Sequence, residues 1–302
     1  MSKLKKALEK AKGEREVITE SALVSTASVK ENKTERIPAD DLPDSKLNVS
    51  QEGQIKLRDG IEEVKVTYTK TKIQKVDPDV LRRNKVISLF HDHKMTDHIN
   101  LLRAQVINSL AKMGGNSILI TSANPGEGKT FTAINLGISI AKELNRTVLL
   151  VDADLKNPTI HHYDFASDFF GVDVNRGLAD YLLGEAELPD LLINPGIEKL
   201  TILPAGRAVP NSSELLGSPR MEAMIKEIKN RYSKERIVIF DCSSLLASPD
   251  PLVFSHLVDS ILLVVEAEKT TPNQVKRVME LLNGRHVLGT VLNKKRGQET
   301  DV

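Results

Sequence analysis

Ser117-Ile118-Leu119-Ile120-Thr121-Ser122-Ala123-Asn124-Pro125-Gly126-Glu127-Gly128-Lys129-Thr130 is the stretch on which the fold turns. Residues 117–121 are a short apolar run, the pattern of a buried strand, and Thr130 to Leu144 reads as a helix. Between them Gly126 and Gly128 allow the backbone to curl until successive N–H groups face one centre. The start of the helix adds partial positive charge at the same place. Strand, glycine turn and a helix opening on Lys-Thr together make a phosphate-binding P-loop, G-x-x-x-x-G-K-[ST], with Ala123 at its first position. The candidate nucleotide contacts are Pro125, Gly126, Glu127, Gly128, Lys129, Thr130 and Phe131. Lys129 is read as reaching the β- and γ-phosphates of ATP, and the Thr130 hydroxyl as a ligand of Mg²⁺.

Working outward, further continuous apolar runs lie at 148–151, 200–203, 237–240, 261–265 and 287–292. Continuous rather than alternating apolarity suits strands covered on both faces of a parallel sheet. Helical stretches separate most of them, including Met221 to Tyr232 and Pro272 to Leu282. Ile99, Leu102, Val106, Leu110 and Met113 form one face of a helix ending at Gly114-Gly115. Alternating strands and helices predict a doubly wound α/β domain over 97–302, with a mainly parallel sheet. Two strands end in acid: Val151-Asp152-Ala153-Asp154 and Phe240-Asp241. Ligands of parallel sheets sit at those strand ends, so Asp152, Asp154 and Asp241 join the site, with Asp152 and Asp241 as further Mg²⁺ ligands. Asp152 and Asp154 would diverge along a continuing strand, so a turn is required after Asp152.

Residues 1–96 read differently. Of eleven aromatics (seven Phe, four Tyr, no Trp), only Tyr68 precedes Phe90. A segment so poor in large apolar groups offsets little of its ordering entropy, so 1–96 is expected to be a largely disordered tail and linker. Within it, a short amphipathic helix is possible over 3–12 and a lone strand around Val64–Tyr68. A formal net charge of +1 removes the bulk electrostatic case for nucleic-acid binding. One cysteine, Cys242, excludes a disulfide framework and a Cys-rich zinc site. With no long apolar span and no signal-peptide core, a cytoplasmic protein is expected.

The P-loop, Asp152-Ala153-Asp154-Leu155-Lys156-Asn157-Pro158 and Asp241 resemble the bacterial tyrosine kinases (BY-kinases) of capsule and exopolysaccharide export, over roughly residues 97–294. The chain resembles in particular the tyrosine autokinases of exopolysaccharide and exosortase loci. Gly177-Leu178-Ala179-Asp180-Tyr181-Leu182-Leu183-Gly184 is similar to the family's G-L-x-D-Y-L-x-G, and Leu203-Pro204-Ala205-Gly206 to its L-P-A-G. Asn211 to Leu216 resembles its N-P-x-E-L-L, with Ser212 for Pro. Gly289 to Lys294 resembles its last strand, implying that Asn293 packs on adenine. The family's E-x-x-R-x-x-R ring-assembly positions hold Asp97, Asn100 and Arg103 here. The ParA and MinD type ATPases share the fold class but carry a signature Lys where this chain has Asn124.

The resemblance implies an ATP- and Mg²⁺-dependent protein-tyrosine kinase in which Asp152 accepts the tyrosine proton and Asp154 supports the metal. It also implies self-association and a separate membrane partner, a chain-length-determinant or polysaccharide co-polymerase protein, holding the kinase at the inner membrane. Tyr68, Tyr163, Tyr181 and Tyr232 are the candidate acceptors within the chain. The alternative is an ATPase switch that regulates such a partner without phosphorylating tyrosine.

Overall fold

The computed structural model describes residues 71–90, 95–156, 166, 169–172, 175–231 and 235–295, within a unit spanning Asp59–Val302. The suggested helix at 3–12 and strand near 64–68 fall outside the described residues, as do Tyr68, Tyr163 and Tyr232. In chain order the elements are β1 (Lys72–Ile73), α1 (Pro78–Arg83), α2 (Met95–Met113), β2 (Ser117–Ser122), α3 (Lys129–Ala141), β3 (Thr147–Asp152), α4 (Leu178–Leu182), α5 (Leu188–Leu191) and β4 (Ile193–Asn194). There follow β5 (Leu200–Leu203), α6 (Ser212–Leu216), α7 (Pro219–Arg231), β6 (Arg236–Asp241), α8 (Asp250–Phe254), β7 (Ser260–Glu266), α9 (Pro272–Leu281) and β8 (Val287–Asn293).

One sheet of eight strands runs β1-β4-β5-β3-β6-β2-β7-β8. Its pairings are parallel except for β4 against β5. The doubly wound α/β fold is therefore the one the apolar runs imply. β2 and β3 are buried along their whole length, which is why they carry no polar alternation. Alternate residues feed two cores. Leu119, Leu149, Val151, Val238, Phe240 and Leu263 belong to one, while Ile118, Ile120, Val148, Leu150, Ile237 and Ile239 belong to the other. Helix α3 lies over the second layer and is buried from Thr132 to Ala141.

The folded part begins before Asp97. Lys72–Ile73 pairs with Ile193–Asn194, Leu81 and Val86 are buried in the second core, and Ile87 is buried as well. Burying each such side chain contributes roughly 1.5–3 kcal/mol. Asn135 of α3 stitches this segment down: its Oδ1 accepts from Ser88 N (3.0 Å) and its Nδ2 donates to Lys85 O (3.1 Å). Val76, Leu89 and Phe90, partly buried, pack on the same core beside Leu81 and Val86. Described structure, beginning at residue 71, thus precedes the boundary expected at Asp97. Helix α2 likewise starts at Met95 rather than Asp97.

Candidate functional site

The parallel pairing of β3, β6 and β2 brings the carboxyl ends of all three strands to one edge. The loop 123–130 leaves β2 there and enters α3 at Lys129. Gly126 and Gly128 have φ values of 80° and 95°, the left-handed region that side chains resist. A Cβ on Gly128 would also stand 2.0 Å from Asn293 Nδ2. That nitrogen donates to Glu127 O (2.8 Å), and Lys294 Nζ donates to Gly126 O (2.6 Å), so the end of β8 braces two loop carbonyls. Pro125 and Gly126 are exposed, whereas Glu127 is buried; Phe131 is half-buried in the first turn of α3.

Asp152 and Asp241 are register partners at the ends of β3 and β6. After Asp152 the chain turns: Asp154 N donates to Asp152 Oδ1 (3.0 Å). This is the turn that the Asp-x-Asp spacing demands. It carries the Asp154 carboxylate to Lys129 Nζ, 3.2 Å away. The Thr130 hydroxyl hydrogen-bonds Asp241, whose Oδ1 is buried without a partner. The structure thus gathers Lys129, Thr130, Asp152, Asp154 and Asp241, with Asn293 at the loop's outer rim.

The electrostatics follow from crowding three carboxylates about one ammonium. Burial alone would lower the Lys129 pKa, but Asp241, Asp154 and Asp152 push it above the ordinary lysine range. Burial raises Asp152 well above the usual carboxylate range, and the Asp241 and Asp154 charges add to it. Asp241 is pushed up to about 6, again by burial, with Lys129 and the Thr130 hydroxyl opposing. The site stores carboxylate charge that it cannot comfortably hold.

The donor set fits a hard divalent cation. The Thr130 hydroxyl and the unpartnered Asp241 oxygen are the oxygen ligands that Mg²⁺ takes, and the carboxylate repulsion is what a cation would relieve. Among the described residues no group of three or more Asp, Glu, His or Cys side chains forms a cage. Mg²⁺ is commonly held by one or two carboxylates together with phosphate oxygens, so none is required.

The other family-like segments are held by contacts of their own. Leu178 N and Ala179 N donate to Pro204 O (2.8 Å) and Ala205 O (2.9 Å). Gly177 N donates to the buried Asp180 carboxylate (2.8 Å). Ser213 Oγ donates to buried Asp250. Tyr181 is buried, with the Arg220 guanidinium 4.7 Å from its ring centroid. Arg103 is engaged within the chain, donating to Ser139 O (3.0 Å) and pairing with Glu143 (3.2 Å) of the α3 region. The sequence pointed to the acids and the P-loop but not to Asn124 and Thr270, which bond Glu127, or to Gln274, which bonds Asn124. The repeated Asn, Thr and Gln beside the loop and at the start of α9 were the only available signal.

Comparison with known proteins places this geometry. Residues 115–287 match a family model described as an AAA domain. The tyrosine-protein kinase YwqD of Bacillus subtilis (strain 168) is 34% identical over 182 residues, covering 60% of this chain and 73% of the relative. The tyrosine-protein kinase CpsD of Streptococcus agalactiae serotype III is 30% identical over 204 residues, covering 67% of this chain and 83% of the relative. Among solved structures, the kinase domain of Escherichia coli tyrosine kinase ETK superposes with a TM-score of 0.60 at 28% identity, covering 68% of this chain and 77% of that one. The chimerical protein CapA2B2 gives a TM-score of 0.63 at 26% identity, covering 75% and 94%. With this family model matched and these relatives covering 60–75% of its length, the chain belongs to the bacterial tyrosine-kinase family, built on an AAA-type domain.

Proposed function

We propose that this chain is an ATP-dependent protein-tyrosine kinase acting in exopolysaccharide or capsule export. The observation that carries the reading is the convergence of Lys129, Thr130, Asp152 and Asp241 on one sheet edge beside a P-loop already curled for phosphate. Phosphoryl transfer asks mainly for positioning and charge stabilisation, which this edge supplies. Lys129, the loop N–H groups and the start of α3 hold the phosphates of ATP. Asp154, paired with Lys129, sets the direction of the ammonium. Thr130 and Asp241, with Asp152 beside them, would hold Mg²⁺, which neutralises developing phosphate charge when bound.

Asp152 is the proton acceptor for the incoming tyrosine hydroxyl. An ordinary carboxylate near ~4 is a poor base for a phenol near ~10, so the proton moves late in the reaction. Asn293, which braces the loop through Glu127 O, would pack on the adenine of ATP. Tyr181, buried beneath Arg220, is poorly placed as an acceptor; Tyr68, Tyr163 and Tyr232, on this or another copy, and a partner's tyrosine are the acceptors to test. Self-association and a membrane chain-length-determinant or co-polymerase partner complete the reading. No helix among the described residues is long and apolar enough to cross a membrane, so inner-membrane localisation would come through that partner.

Purified protein incubated with γ-labelled ATP and Mg²⁺ should yield phosphotyrosine, on itself or on its partner, and Lys129→Met should abolish it. Free phosphate without phosphotyrosine would instead establish an ATPase switch.

A further inference from the structure

Glu127 is an odd residue to find inside a phosphate loop. A carboxylate there opposes phosphate unless its charge is engaged elsewhere. Its side chain is 0% exposed although Pro125 and Gly126 beside it are open to solvent. Oε1 accepts from Asn124 Nδ2 (2.8 Å), within the loop, and from the Thr270 hydroxyl, 143 residues away in the turn after β7. The Thr270 hydroxyl in turn accepts from Glu266 N (2.9 Å) at the end of β7, so its one proton is committed to Glu127. Asn124 Oδ1 accepts from Gln274 Nε2 (3.1 Å) in the first turn of α9. The carbonyl of Glu127 itself takes the bond from Asn293 on β8.

From these contacts we infer that Glu127 is a positioning residue for ATP: tied to Asn124 and Thr270, it fastens the P-loop to the β7–α9 turn and holds the curl before nucleotide arrives. The inference rests on the P-loop reading proposed above. A turn with two left-handed glycines is costly to order. Where the scaffold has already ordered it, nucleotide binding energy is not consumed in doing so. The bonds are to a buried carboxylate, the class whose loss is felt most. Through Thr270 and Gln274 the same network makes the loop's shape answerable to α9.

The test measures Mg-ATP affinity by calorimetry, and KM and kcat for phosphoryl transfer, on the full chain. Five proteins are compared: wild type, Glu127→Ala, Thr270→Val, Thr270→Ser and the double variant Glu127→Ala/Thr270→Val. Glu127→Ala and Thr270→Val should each weaken ATP about tenfold, about 1.4 kcal/mol, with the loss falling on KM rather than on kcat. Thr270→Ser, which keeps the hydroxyl, should restore affinity to within about twofold of wild type. The double variant should lose less than the sum of the two single losses, because the Glu127–Thr270 bond is cut in both. Wild-type affinity in both single variants, fully additive losses, or Thr270→Ser as weak as Thr270→Val would overturn the inference. If Glu127→Ala fails to fold, the valine and serine variants at 270 decide alone. Absence of ATP binding by the wild type would overturn the functional reading and this inference with it, whereas equal binding by wild type and variants would overturn this inference alone.

Discussion

Asp241 shows how a single side chain trades stability for function. Its carboxyl is 1% exposed and titrates at about 6 in the folded chain. The folded state holds this proton more tightly than the unfolded state, whose value is near ~4. Its contribution to stability is therefore full below about pH 4 and lost as pH rises through about 6. Two pKa units correspond to about 3 kcal/mol, an upper bound. Asp241→Asn has no charge to develop, so without Mg²⁺ it should be more stable than wild type at about pH 8, by about 2–3 kcal/mol, and match it near pH 4. Urea denaturation at the two pH values checks this; an equal difference at both would refute it. Lys129, Thr130, Asp152 and Asp241 were legible in the sequence because loop spacing and strand ends alone determine their place. The Lys129–Asp154 pair and the burial of Glu127 were not. The first depends on the turn that follows Asp152, the second on Thr270, which only the folded sheet brings near.

At the scale of elements, long apolar strands and periodic helices were readable because each buries a continuous face. β3, β5, β6, β7 and β8 fall where the apolar runs lie, within a residue or so. Two-residue strands such as β1 and β4 have no period to detect, and their pairing is decided by neighbours. The contact of 177–179 with 204–206 is another joint that no single segment announces. There a Cβ added to Gly177 would lie 2.2 Å from Pro204 O and 2.4 Å from Gly206 N, both backbone atoms with little freedom to retreat. The Gly177 φ of −165° is ordinary extended backbone, so the constraint is one of space. Gly177→Ala should therefore cost about 1–3 kcal/mol or more, seen as a lower Tm. An unchanged Tm would show that the two segments separate without penalty. Arg103 belongs to the same scale: its bonds to Ser139 and Glu143 fasten α2 to the α3 region.

Across the whole molecule, the chemistry collects on one edge of the sheet while the stabilising layers lie on its two faces, so nucleotide chemistry and core packing scarcely compete for residues. Asn135 is where they meet. It sits inside α3, the helix that opens on Lys129, and it grips the backbone of the segment before α2 at Lys85 and Ser88. An amide bonded to a buried side chain exchanges its proton with solvent only when that side chain lets go. The Ser88 amide should therefore exchange as slowly as the interior of α3, and in Asn135→Ala it should exchange at the faster rate of local fraying. Read by hydrogen–deuterium exchange, that one amide becomes a reporter of how firmly the phosphate-binding helix is seated, and adding ATP should slow it further.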